Sequence, residues 1–219
     1  MVSFEESKLN HPLSDKFSDF FGITKYSEKV RKLIFNAYDF DYRHYHNLDH
    51  IEYCLGKLAG YLPAISHPKE LEFAIWFHDL IYMPGRKDNE QQSAMIAYGA
   101  AILLDRPKVF AERVKRLIEC TETHQPFSGD DELYIDSRVI IDVDMGILSE
   151  DPVTYDNYAV CIEREWLPIV GRAAFRAGRK NWLQKTLDSE RIYFIDGIFD
   201  EMQARENLKR EYESLQGNR

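Results

Sequence analysis

The segment ELEFAIWFHDLIY, residues 70–82, constrains the fold more than any other stretch of this chain. Its apolar residues run nearly all round a helical wheel, so a helix formed here has to be enclosed by others. The same segment carries a His-Asp doublet, His78-Asp79, into the interior. An ionised carboxylate taken out of water without a partner costs enough to shift its pKa or unfold its surroundings. The segment holds no Lys or Arg that offsets Asp79. A cation from elsewhere in the chain, or a divalent metal ion, is therefore required.

Helical spacing dominates on both sides of it. Residues 25–40 place Val30, Leu33, Ile34 and Ala37 on one face, and Leu48, Ile51, Leu55, Leu58 and Leu62 repeat until Pro63. Asp88 or Asn89 is placed to cap the helix expected over EQQSAMIAYGAAILL, residues 90–104. Val114, Leu117, Ile118, Thr121 and His124 share another face. Residues 136–149 are rich in β-branched side chains, yet Ile140, Ile147 and Leu148 form a helical stripe. Helices over 155–170, through GRKNWLQKTL and over 198–215 complete the series. No repeat or linker interrupts them. The expected architecture is all-α, a compact multi-helix bundle, with residues 1–25 an N-terminal extension running into the first helix and 26–219 a single domain.

Composition narrows the function classes. Lys and Arg total 28 against 37 Asp and Glu, a net charge of −9. That field repels polyanions, which argues against nucleic-acid polymers and acidic membranes as partners, while a small phosphate ester stays accessible beside a metal ion. Cys54, Cys120 and Cys161 are an odd, scattered set without CxxC spacing, as expected of thiols in a reducing compartment. The longest apolar run, FAIWF, is too short to span a bilayer, and the first residues lack a signal-like apolar core. A cytoplasmic protein is expected.

The candidate ligands lie in three regions. In RHYHNLDHI, residues 43–51, His46 and His50 are four apart and project from one helical face. Asp144 has Ile140, Ile141, Ile147 and Leu148 as its helical neighbours and is expected to face the core. Asp142, among Arg138, Val139, Met145 and Gly146, is expected on a mixed face paired with Arg138. His50, His78, Asp79 and Asp144 thus form a two-His, two-Asp set. Such a set suits Mn²⁺, Fe²⁺, Zn²⁺, Mg²⁺, Co²⁺ or Ni²⁺, one or two per chain. On an octahedral ion it leaves positions for water and substrate, as a catalytic site does. His124 ends its apolar face as a candidate for a second ion or for substrate. Arg43, Arg86 and Lys87 are the nearest cations in sequence for clamping a phosphate. His44 fits none of these roles and is expected near the surface.

The order H…HD…D resembles the HD superfamily of metal-dependent phosphohydrolases. RHYHNLDHI, FHDLIYMPGRKDNEQQSA, GRKNWL and IYFIDGIFDEMQARENL are similar to a subgroup of predicted HD phosphohydrolases, a likeness running from about Arg43 onward. The resemblance implies an HD-type helical domain with His50, His78, Asp79 and Asp144 as metal ligands. YHNLDH also resembles the signature of class I cyclic-nucleotide phosphodiesterases. By that likeness His46 is the general acid that protonates the leaving oxygen. Glu90, in the first turn of its helix and stabilised there by exposed N–H groups, is placed to orient or deprotonate the attacking water, a role Asp79 shares.

The function expected is hydrolysis of a small phosphate ester, a nucleotide by default, with metal-activated water. Two alternatives stand beside it. HD-fold di-iron oxygenases use two further histidines, whereas here no histidine follows His124. A metal-containing module that binds a nucleotide without turnover is the other.

Overall fold

The computed structural model describes residues 11–216, and every regular element among them is helical. Helix α1 spans Leu13–Phe21, α2 Lys25–Tyr38, α3 Leu48–Leu58, α4 Pro68–Phe77, α5 Asn89–Leu103, α6 Lys108–Glu119 and α7 Tyr134–Asp144. These seven enclose the larger core. The 3₁₀ turn Met145–Ser149 leads into α8 (Pro152–Val170), α9 (Arg172–Asp188) and α10 (Glu201–Gln216), which close over a second, smaller core. Met145 and Phe199 pack against both cores and join them. No helix among the described residues is long and apolar enough to cross a membrane.

Helix α4 runs through the middle of the larger core, as its composition requires. Leu71 and the run from Phe73 to Phe77 are buried, and Phe17 and Phe21 of α1 pack edge-on against Trp76. Each such large side chain contributes about 1.5–3 kcal/mol on leaving water. Pro68 opens α4 at a position where its missing N–H costs nothing. Just before it, buried Asp136 accepts the Ser66 and His67 amide N–H groups and pairs with the His67 ring. Other starts are read as easily from side chains. Thr24 and Ser27 form a reciprocal capping box on α2, and Asn47 accepts from the amides of Asp49 and His50 at the head of α3.

Several expectations are corrected. Helix α4 ends at Phe77 rather than continuing to Tyr82, because the chain turns at His78-Asp79. Helix α1, inside the segment expected as an extension, buries Leu13, Phe17 and Phe21 in the core, while residues 1–10 lie outside the described residues. Leu33 and Leu62 are exposed, and Phe35 and Tyr38 take the buried face of α2 instead. Asp88 does not cap α5 but pairs with Arg86. Asn89 ties down the loop before α5 through both polar atoms of Met83's backbone. The segment over residues 136–149 is helical, as expected, with its last turn tightened to 3₁₀.

Candidate metal centre

Four side chains converge where α3, the end of α4 and the end of α7 meet. His50 sits in the first turn of α3, oriented by the Asn47 cap. His78 lies at the C-terminus of α4, and its Nδ1 is 2.9 Å from the carbonyl of Ile75, one of the acceptors a helix end leaves without an internal partner. A proton held there on Nδ1 turns the Nε2 atom toward the cluster. Asp79 follows in the turn, and Asp144 closes α7.

The spacing fits a shared ion. One donor atom from each of the four lies within 4.8 Å of the others. His50 Nε2 is 3.1 Å from His78 Nε2 and 3.2 Å from Asp144 Oδ1. His78 Nε2 is 3.2 Å from Asp79 Oδ2 and 3.4 Å from Asp144 Oδ1, and the His50–Asp79 separation is 3.7 Å. Donors about 2.1 Å from one ion stand about 3.0 to 3.5 Å apart at octahedral to tetrahedral angles. Two imidazole nitrogens and two carboxylate oxygens therefore already lie near the edges of a coordination polyhedron. The imidazoles are 0% and 2% exposed while the carboxylates are 17% and 16% exposed, so the site is closed behind and open on one side. His11, Asp49 and Glu52 also lie close together, but nearer the surface, where water compensates their charge.

The electrostatics carry the same message. Burial lowers the pKa of His50, and the neighbouring His78 adds to that. Burial opposes charge on His78 too, but Asp79 and Asp144 outweigh it and raise its pKa well above the usual value. The two nitrogens are too close for both rings to be cationic. Asp79 is held below the usual carboxylate range, burial being outweighed by the charges of His78 and His46. A proton on His78 would offset only one of the two carboxylates, whereas a divalent ion in its place would offset both. Arg43 makes no ion pair with either carboxylate: it donates to the backbone carbonyl of Asp79.

Beside the cluster, a cavity of about 410 Å³ is lined by His46, Asp79, Glu90, His124 and Asp144 at one end and by α8 and α9 at the other. His46 is held from behind by Glu165 of α8. Glu165 Oε2 lies 2.7 Å from His46 Nδ1, and Oε1 accepts the amide N–H groups of Tyr45 and His46. Tyr82 donates to the same carboxylate and stacks on the His46 ring, with centroids 4.0 Å apart. Burial lowers the pKa of His46, but the nearby Asp79 and the hydrogen-bonded Glu165 more than offset it, and the net shift is upward. Burial raises Glu90, with Asp79 and Glu122 adding to the effect.

The remaining candidates fall elsewhere than expected, or play other parts. His124 is not on α6. It follows a 3₁₀ turn in a left-handed conformation, φ 49°, and its Nε2 is 3.3 Å from the second oxygen of Asp144. Arg43 is buried and donates to the carbonyls of His46, Asp79 and Leu80. It therefore fastens the His46 loop to the turn after α4 and does not line the cavity, so it is not placed to clamp a phosphate there. Arg86 and Lys87 are exposed and do not line the cavity, with Arg86 bound to Asp88. His44 is exposed. Asp142, like Asp136, is a fully buried carboxylate of α7. It accepts the amides of Phe194 and Ile195, while Arg138 lies over the ring of Tyr134.

Glu165 is the residue the sequence reading missed, and it left a signal. Tyr155, Tyr158, Ile162 and Glu165 form the buried stripe of α8, so the carboxylate occupies a core position in the helical repeat. Arg179 does the same between Phe175 and Leu183 on α9. The arrangement supplies a ligand set for a divalent ion, an oriented imidazole and an adjoining cavity. Comparisons of the chain with protein-family models, curated proteins and solved structures find no match.

Proposed function

We propose that this protein is a metal-dependent phosphohydrolase of HD type, with His50, His78, Asp79 and Asp144 holding the ion. The convergence of those four donors beside His46 is the observation that carries the reading. When bound there, a divalent ion lowers the pKa of water and neutralises charge on phosphoryl oxygens. Glu165, by engaging Nδ1 of His46, favours the protonated imidazole and leaves Nε2 as the nitrogen that gives its proton to a leaving alkoxide. Glu90, its basicity increased by burial, takes up the proton of the attacking water. His124, against the outer oxygen of Asp144, orients that carboxylate.

The test is phosphate release by Mn²⁺-loaded protein from alkyl and p-nitrophenyl phosphates, compared with His46→Gln. The proposal expects turnover of both esters by the unmodified protein. His46→Gln should lose about 10²-fold or more on the alkyl ester and far less on p-nitrophenyl phosphate, whose leaving group needs no proton. Absence of phosphate release from any monoester and of alcohol release from any diester by metal-loaded protein would overturn it.

A further inference from the structure

Resting on the hydrolase reading, we propose that the substrate is a monophosphate ester whose alcohol part is apolar. The cavity next to the metal cluster is built for such a group. Away from His46 and the carboxylates its wall is formed by Ile147, Leu148, Ile162, Phe175 and Trp182, drawn from the 3₁₀ turn, α8 and α9. Its volume, about 410 Å³, lies in the range of small-molecule sites.

Two features argue against a polyphosphate or a sugar there. Among the lining residues Arg179 is the only Lys or Arg, and its guanidinium is fixed by Glu211 at 2.8 and 2.9 Å. Asp79, Glu90 and Asp144 contribute three carboxylates to the same walls. A divalent ion at the cluster balances two of them and leaves no surplus positive charge for a second or third phosphate. Most polar atoms at the apolar end are already committed. Trp166 Nε1 donates to Tyr82, Tyr82 donates to Glu165, and Arg179 donates to Tyr158. The Tyr45 hydroxyl is an exception, buried without a partner among the described residues, and its ring packs 4.8 Å from that of His50 and 4.7 Å from that of Tyr158, where the metal end meets the apolar end. Hydroxyls or a base edge entering the far end would lose water and find few partners.

Gly178 supplies the control. It lines the cavity on α9, and a Cβ added there meets nothing within 4 Å. Gly178→Ala should leave the cavity open, and Gly178→Phe should narrow it.

The experiment measures kcat/KM of the Mn²⁺-loaded protein for n-alkyl phosphates from ethyl to octyl, with ATP and AMP alongside. In parallel, binding of n-alkylphosphonates is followed by the fluorescence of Trp166 and Trp182. Transfer of a methylene from water into an apolar cavity predicts about a fourfold rise in kcat/KM per carbon until the space is filled. Phosphonate affinity should rise in parallel, and both trends should flatten in Gly178→Phe but not in Gly178→Ala. A flat series in wild type, or faster turnover of ATP or AMP than of hexyl phosphate, would overturn the substrate assignment while leaving the hydrolase standing. Chain-length-dependent phosphonate binding without hydrolysis of any phosphate mono- or diester would uphold the apolar cavity and overturn the hydrolase. If Gly178→Phe melts like wild type by circular dichroism yet keeps the full chain-length dependence, the assignment of this cavity is wrong.

Discussion

Replacing Glu165 with alanine removes the acceptor on which the His46 loop is hung. The Glu165 side chain has no exposed surface and receives four contacts between 2.7 and 3.0 Å: from the Tyr45 and His46 amides, His46 Nδ1 and the Tyr82 hydroxyl. Breaking one side of a buried charged pair costs about 3–5 kcal/mol, because the remaining donors keep their desolvation cost and lose their partner. For a chain of this size each kcal/mol lowers Tm by about 2–4 °C, so the expected loss is about 6–20 °C. Glu165→Gln retains an acceptor for the two amides and should cost about 1–2 kcal/mol. The pH dependence distinguishes this pair from mere packing. Glu165 has its folded pKa lowered by His46, against burial, so its contribution is present above the ordinary 4.5 and is lost as pH falls through the folded value. His46 has its folded pKa raised, so its contribution is complete below the ordinary 6.5 and is lost as pH rises through the folded value. The Tm difference between wild type and Glu165→Ala should therefore be widest between pH 4.5 and 6.5, and should narrow on either side. Thermal melts by circular dichroism from pH 4 to 9 measure it. A Glu165→Ala variant melting within about 2 °C of wild type at pH 6, or a difference independent of pH, would refute the reasoning.

Two further substitutions separate fold from site. Asp142→Ala should cost about 2–5 kcal/mol in denaturant melts, since the buried amides of Phe194 and Ile195 lose their acceptor, yet it should leave divalent-metal stoichiometry unchanged. Asp144→Ala should abolish metal retention. Gly146→Ala places a Cβ 2.5 Å from the Phe199 ring and 3.0 Å from the Tyr53 hydroxyl, at the join between the two cores. Overpacking of that kind costs about 1–3 kcal/mol, and a melt equal to wild type would show that Phe199 gives way freely.

Much of this was legible because helical folds write their burial pattern into residue spacing. The enclosure of α4, the helical state of residues 134–144 and the two-His, two-Asp set all follow from which positions recur every three or four residues. What spacing does not encode is a turn held by a distant side chain. Arg43 takes the carbonyls of Asp79 and Leu80 from 36 and 37 residues away, so the turn that follows the end of α4 at Phe77 is held by tertiary structure. The burial of Asp142 is hidden from spacing for a similar reason. The segment after α9 lays the amides of Phe194 and Ile195 over Asp142, making it a buried structural carboxylate. Asp144, at the end of its helix, opens onto the cavity at 17% exposure. Proximity along the chain also misled. Arg86 and Lys87 are near the ligands in sequence yet lie outside the cavity, while Glu165, 119 residues from His46, holds that imidazole.

The central claim is that the four converging donors hold a divalent ion, and metal content measures it most directly. Purified protein equilibrated with Mn²⁺, Fe²⁺ or Zn²⁺ and then freed of unbound metal should retain at least one ion per chain by elemental analysis. Asp79→Ala and His50→Ala should retain almost none while keeping the wild-type circular dichroism spectrum. Wild-type protein that emerges metal-free at neutral pH, or an Asp79→Ala variant that holds as much metal as wild type, would contradict the account.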